Sequence, residues 1–83
     1  MIIKMSLIAN AEIDLHSFTV SEAKKYLDSF LNGLPKTTKE VTVIHGCNRG
    51  TALLKYVRVT YNHKRIDRKI MSLNQGTTIF LLK

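Results

Sequence analysis

The stretch Val41-Thr42-Val43-Ile44-His45-Gly46-Cys47-Asn48-Arg49-Gly50-Thr51 constrains this chain more than any other. Its unbroken run of Val, Thr and Ile fits a pleated, buried strand. The run ends on a histidine, enters a loop with glycine at both ends and gives way to a helical pattern that Thr51 can cap. Such a strand-loop-helix turn aims free backbone N–H groups and a positive helix end at one spot. That spot favours an anion, most often a phosphate. Gly46, Asn48, Arg49, Gly50 and Thr51 are therefore candidate phosphate contacts, with Arg49 suited to a bidentate one.

The rest of the chain reads as company for that loop. Glu12 to His16 alternates, with Ile13 and Leu15 on one face and Asp14 and His16 on the other, as in a short strand. Thr19 with Glu22 three residues on is a capping box, and Phe18 and Ala23 can staple it. Ala23, Leu27, Phe30, Leu31 and Leu34 recur at helical spacing, Gly33 suits a C-cap and Pro35 stops the helix. Beyond Thr51, Leu53, Leu54, Val57 and Tyr61 make a second helical stripe, with Lys55, Arg58 and Asn62 off it. Residues 66–73 read as a third strand, Asn74-Gln75-Gly76 as a turn and residues 77–82 as a fourth strand. The order β-α-β-α-β-β predicts an α/β domain with a four-stranded mixed sheet and two helices. Its first two strands are parallel and its last two form a hairpin. Residues 1–10 read as an arm or an extra strand, and residues 11–83 as the domain.

Charge separates the two halves. Residues 1–44 hold five basic and five acidic side chains, whereas residues 45–83 hold eight basic ones against Asp67 alone, so the whole net charge of +7 follows the glycine loop. A basic half joined to a neutral half points to a polyanion, nucleic acid before membrane. Lys55, Arg58, Lys64, Arg65, Arg68 and Lys69 form the candidate backbone-binding set; the bland alternative is that they only keep the chain soluble. Cys47 is the only cysteine, which excludes an intramolecular disulfide and makes a reducing cytoplasm the simplest home. The first residues are too short and interrupted for a signal peptide or a membrane span.

Parallel neighbours would bring Asp14 and His16 from the first strand and His45 from the second to one sheet edge, with both helix starts. These three are the candidate catalytic residues. His45 alone would read as an edge histidine bonded to backbone. Asp14 two residues from His16 can orient an imidazole. Cys47 and His63 read as incidental, Phe18, Phe30 and Phe80 as core, and Tyr56 as a weak candidate for base stacking.

Ile13-Asp14-Leu15-His16 followed by Thr19-Val20 and a helix resembles the L-D-x-H-G motif that opens the small MutS-related (Smr) domain. Val43-Ile44-His45-Gly46 with Gly50-Thr51-Ala52-Leu53 resembles its H-G-x-G-x-G motif. Asn74-Gln75-Gly76-Thr77-Thr78-Ile79-Phe80 is similar to its closing N-x-G-x-T strand. The resemblance implies a two-layer sandwich like the C-terminal domain of bacterial initiation factor three. It also implies nucleic-acid binding, with cleavage of RNA or nicking of DNA in several members. Ser17 and Asn48 stand where the family has glycine.

The function expected is a nucleic-acid-binding domain with weak endonuclease activity at the Asp14/His16/His45 edge. Without a metal, His45 and His16 would serve as general base and acid, which suits RNA because the 2′-hydroxyl is a built-in nucleophile. A divalent ion on Asp14 and the two histidines is the other route, but the ligand spacing is generic, so neither a metal nor a small-molecule cofactor is expected. Ser17 and Asn48 favour the alternative of a non-catalytic RNA-binding or ribosome-associated module. A third reading has residues 1–11 docking on another protein. RNA against DNA, sequence preference and oligomeric state stay open.

Overall fold

The computed structural model describes residues 3–5, 10–46 and 52–83. Five strands form one sheet in the order β1-β2-β3-β5-β4: β1 Ile3–Met5, β2 Asn10–Asp14, β3 Glu40–Ile44, β4 Ile66–Met71 and β5 Thr77–Leu82. β2 and β3 are parallel, with Ile13 opposite Val43 and Asp14 opposite Ile44. β5 lies antiparallel between β3 and β4. The four strands read from the sequence are present, and β1 adds an antiparallel edge to β2.

Side chains alternate across β2, β3 and β5, so that Ala11, Ile13, Val41, Val43, Thr78, Phe80 and Leu82 are buried on one face. The helices cover that face, giving an α/β two-layer sandwich. Helix α1, Val20–Gly33, starts with the predicted cap. The Thr19 hydroxyl accepts from Glu22 N–H at 3.1 Å, and the Glu22 carboxylate accepts from Thr19 N–H at 2.9 Å. Ala23, Leu27, Phe30 and Leu31 form its buried stripe, each large side chain worth about 1.5–3 kcal/mol of burial. The helix runs through Gly33, and the cap is Leu34 in extended backbone, so Gly33 does not serve as a left-handed stop. Arg65 supplies the missing donors instead: its guanidinium bonds the carbonyls of Leu31, Leu34 and Pro35 at 2.9, 2.7 and 2.9 Å.

The second helix departs from expectation. Only Ala52–Lys55 (α2) is α-helical, and Tyr56–Thr60 widens into a π-helical turn closed by Tyr61 N–H on Tyr56 O at 2.7 Å. The wider turn keeps Val57 and Tyr61 buried while Tyr61 stacks on Phe80, ring centroids 6.1 Å apart. Tyr61 also donates to Asp28 at 2.8 Å, tying the π turn to α1. Among the described residues no helix is long and apolar enough to cross a membrane.

Candidate functional site

The C-terminal ends of β2 and β3 meet the turn before β5. Leu15 N–H bonds Ile44 O at 2.6 Å, and the Gly76 carbonyl accepts from both His45 N–H (2.9 Å) and Gly46 N–H (3.0 Å). Three stretches far apart in sequence, 14–17, 45–46 and 74–78, therefore share one edge, which is also where α1 begins. Two residues there have left-handed backbone, Gly46 and Ser17, each with φ of 74°. Gly46 is glycine for its backbone rather than for space, since an added Cβ would meet only His16 Cβ at an ordinary 3.5 Å. Ser17 adopts the same conformation with a side chain, at a cost.

Asp14 and His16 form a pair in which the imidazole is exposed and the carboxylate half-buried. One carboxylate oxygen of Asp14 accepts from His16 Nδ1–H at 2.6 Å and from His16 backbone N–H at 3.1 Å. Burial alone would raise the Asp14 carboxyl, but the two bonds and the charge of His16 outweigh it and hold the carboxyl below its ordinary value. With Nδ1 donating, the imidazole points the lone pair of Nε2 away from Asp14, and Nε2 has no hydrogen-bond partner among the described residues. The His16 side chain is 65% exposed. A carboxylate-oriented imidazole with an open nitrogen can take a proton from a ligand or give one back.

His45 sits on the same edge in a different state. It is 4% exposed. Its Nδ1 lies 3.0 Å from Gly46 O, which can only accept, so Nδ1 carries the proton and Nε2 accepts from the Thr78 hydroxyl at 2.9 Å. The Thr78 oxygen in turn accepts from Arg58 Nε–H at 2.8 Å, and Arg58 also donates to Thr77 O at 2.8 Å. Burial first, and the Arg58 charge after it, push the His45 imidazole below its ordinary pKa of 6.5, towards neutral. Both ring nitrogens are thus used inside the protein. The sequence expectation of two histidines facing one substrate is not the geometry found. Thr78 emerges as a partner of His45 that the sequence reading did not single out, and Arg58, expected to meet a nucleic-acid backbone, is bonded instead to Thr78 and Thr77. Thr78 lies in the closing motif and could have been noticed there, whereas the inward turn of Arg58 follows from the π turn.

The basic residues divide. Asn48, Arg49, Gly50 and Thr51 lie outside the described residues, as does Cys47. Lys55 on α2 and Arg68 on β4 are exposed. Arg58 and Arg65 are turned inward. Lys69 donates to Tyr61 O and lies 5.7 Å from the Phe80 ring centroid, with burial lowering its pKa. Arg65 holds the C-terminal end of α1, so it and Lys64 stand at the sheet edge opposite His16. Among the described residues no three His, Cys, Asp or Glu side chains are grouped to hold a metal ion.

Comparison with known proteins places the fold and the family. The chain is similar to the Smr domain of Thermus thermophilus MutS2, whose crystal structure superposes with a TM-score of 0.71 at 26% identity over 87% of this chain and 96% of that one. No match is found among curated proteins. The family model of the Smr domain matches residues 13–77, spanning Asp14 and His16, the His45-Gly46 turn and the Gly76 turn, and the chain belongs to that family.

Proposed function

We propose that the chain binds a nucleic-acid backbone at the edge formed by His16 and Gly46, and that it is a weak endonuclease. The observation that carries this reading is the exposed imidazole of His16 beside Gly46, with its Nε2 open and the half-buried Asp14 holding the ring. On RNA, His16 Nε2 takes the proton of a 2′-hydroxyl and the 2′-oxygen attacks the adjacent phosphorus. The 5′-oxygen leaves and acquires a proton, giving a cyclic phosphate end. General base catalysis of this kind contributes on the order of 10²–10⁴ in rate. Asp14 steadies the imidazolium. His45 ties Gly46 to Thr78 and Arg58 rather than exchanging protons with substrate, and a catalyst with one open histidine is a weak one. DNA nicking requires water as the nucleophile and is the harder reaction. If a divalent ion takes part, Asp14 and His16 are the residues to hold it, and EDTA would abolish the activity.

The second reading is a binding module without chemistry, in RNA binding or ribosome association. It is favoured by the sealed state of His45 and by Ser17 where the family has glycine. End-labelled single-stranded RNA and supercoiled DNA incubated at low salt with wild type and His16→Ala, with and without EDTA, separate the two. Products from wild type that vanish with His16→Ala support the nuclease. Salt-sensitive binding with no products from either protein supports the binding module, and absence of binding sinks both.

A further inference from the structure

The hairpin that carries Gly76 ends in a bare apolar tip. Leu73 is fully exposed at 105% and Met71 is 66% exposed. A floppy loop could show side chains in this way, but this turn is tied by hydrogen bonds on both sides of Leu73. Ser72 Oγ accepts from Asn74 N–H and from the Thr77 hydroxyl, both at 2.9 Å. Asn74 Oδ1 accepts from Gly76 N–H at 2.8 Å, and Asn74 O from Thr77 N–H at 3.1 Å. The Gly76 carbonyl then holds the N–H groups of His45 and Gly46. Leu73 is thereby presented at a set place relative to the candidate phosphate edge. Met71 lies opposite Thr78 in the β4–β5 pair, and the hydroxyl of Thr78 is held by Arg58.

The charge around this tip selects its occupant. The whole chain carries a net charge of +7, Arg58 bonds Thr77 and Thr78 just past the turn, and Arg68 is exposed on the strand that leads to it. A second copy would bring two basic chains together, which disfavours self-association. A nucleic-acid strand brings phosphates for the cations and base faces for the leucine. We propose that Leu73, backed by Met71, is an apolar wedge that packs against an unstacked base of a strand whose phosphates lie on the His16–Gly46 edge. The proposal rests on the nucleic-acid reading above. Leucine and methionine inserted between bases act in this way, and their contact is sequence-tolerant because every base offers an apolar face.

The test uses the 83-residue chain, wild type, Leu73→Ser and Leu73→Met, and single-stranded RNA oligonucleotides carrying 2-aminopurine at successive positions. Wild type should raise the 2-aminopurine fluorescence at one or two positions in a salt-sensitive complex. Leu73→Ser should melt like wild type, bind about tenfold more weakly with an unchanged salt slope, and lose the fluorescence rise. Leu73→Met should restore it, and Met71→Ser should weaken it. Equal binding and equal fluorescence from wild type and Leu73→Ser would overturn the wedge and leave the nucleic-acid reading standing. No binding by wild type would overturn both. A dimer seen by sedimentation for wild type and lost in Leu73→Ser would assign the tip to a second copy instead.

Discussion

Ser17 carries a cost that its neighbours explain. The backbone must turn left-handed immediately after His16 so that the ring stays on Asp14 and Phe18 can pack on the core before the Thr19 cap. An L-residue there loses roughly 1–2 kcal/mol, which glycine avoids at the expense of more freedom in the unfolded chain. Ser17→Gly should therefore stabilise the protein, by up to about 1 kcal/mol, seen as a higher urea midpoint with an unchanged slope. A lower midpoint would mean that the serine side chain makes a compensating bond. Gly76 is constrained differently. An added Cβ would come within 3.2 Å of Asn74 Oδ1 and 3.6 Å of Gly46 Cα, so this position is held small by the two turns pressed against it.

At the scale of elements, the capping box of α1 was legible because a Thr with Glu three residues on satisfies specific orphan donors whatever surrounds it. The other end of the helix was not. Arg65 is 31 residues from Leu34, and nothing local marks it as the group that bonds three terminal carbonyls. Arg65→Ala should fray the C-terminal turn of α1 and cost about 1–3 kcal/mol, measured by urea unfolding, with faster amide exchange near Leu31 and Leu34. Unchanged exchange there would contradict the clamp. The π turn was invisible for a related reason. The spacing of Leu53, Leu54, Val57 and Tyr61 suits an α-helix, and only the demand that Tyr61 reach both Phe80 and Asp28 widens it.

Across the whole molecule, hydrophobic pattern located the strands well, since burial alternates wherever one sheet face is covered. Charge was the poorer guide. A guanidinium counts the same whether it meets phosphate or backbone, so sequence could not tell the exposed Arg68 from the inward Arg58 and Arg65. The candidate edge was legible as far as the pairing of Asp14 and His16 at a strand end, because strand alternation and family motif coincide there. The sealed state of His45 depends on Thr78, 33 residues away. Burial also sets how stability follows pH. The imidazoles of His45 and His63 are both lowered from 6.5, first by burial. Above that value both the folded and the unfolded chain keep them neutral. As the pH falls below about 6.5 the unfolded chain takes up protons first, so stability declines until the folded values are also passed. Melting temperature should therefore fall between about pH 7.5 and 5, more steeply in wild type than in His45→Gln. A flat profile would mean that neither ring is shielded.

The place of β5 between β3 and β4 has a consequence for how the site comes into being. The carbonyl of Gly76 and the hydroxyl of Thr78 belong to a strand and turn that follow the other described elements, yet they hold His45 and Gly46 in place. A chain that has formed only the β2–α1–β3 unit has Asp14 and His16 but nothing to latch His45 and Gly46. A ligand that needs His45 and Gly46 latched would bind the completed sheet and ignore its precursors. Binding would then draw the chain towards its finished fold, and occupancy of the site would report that the last strand is home.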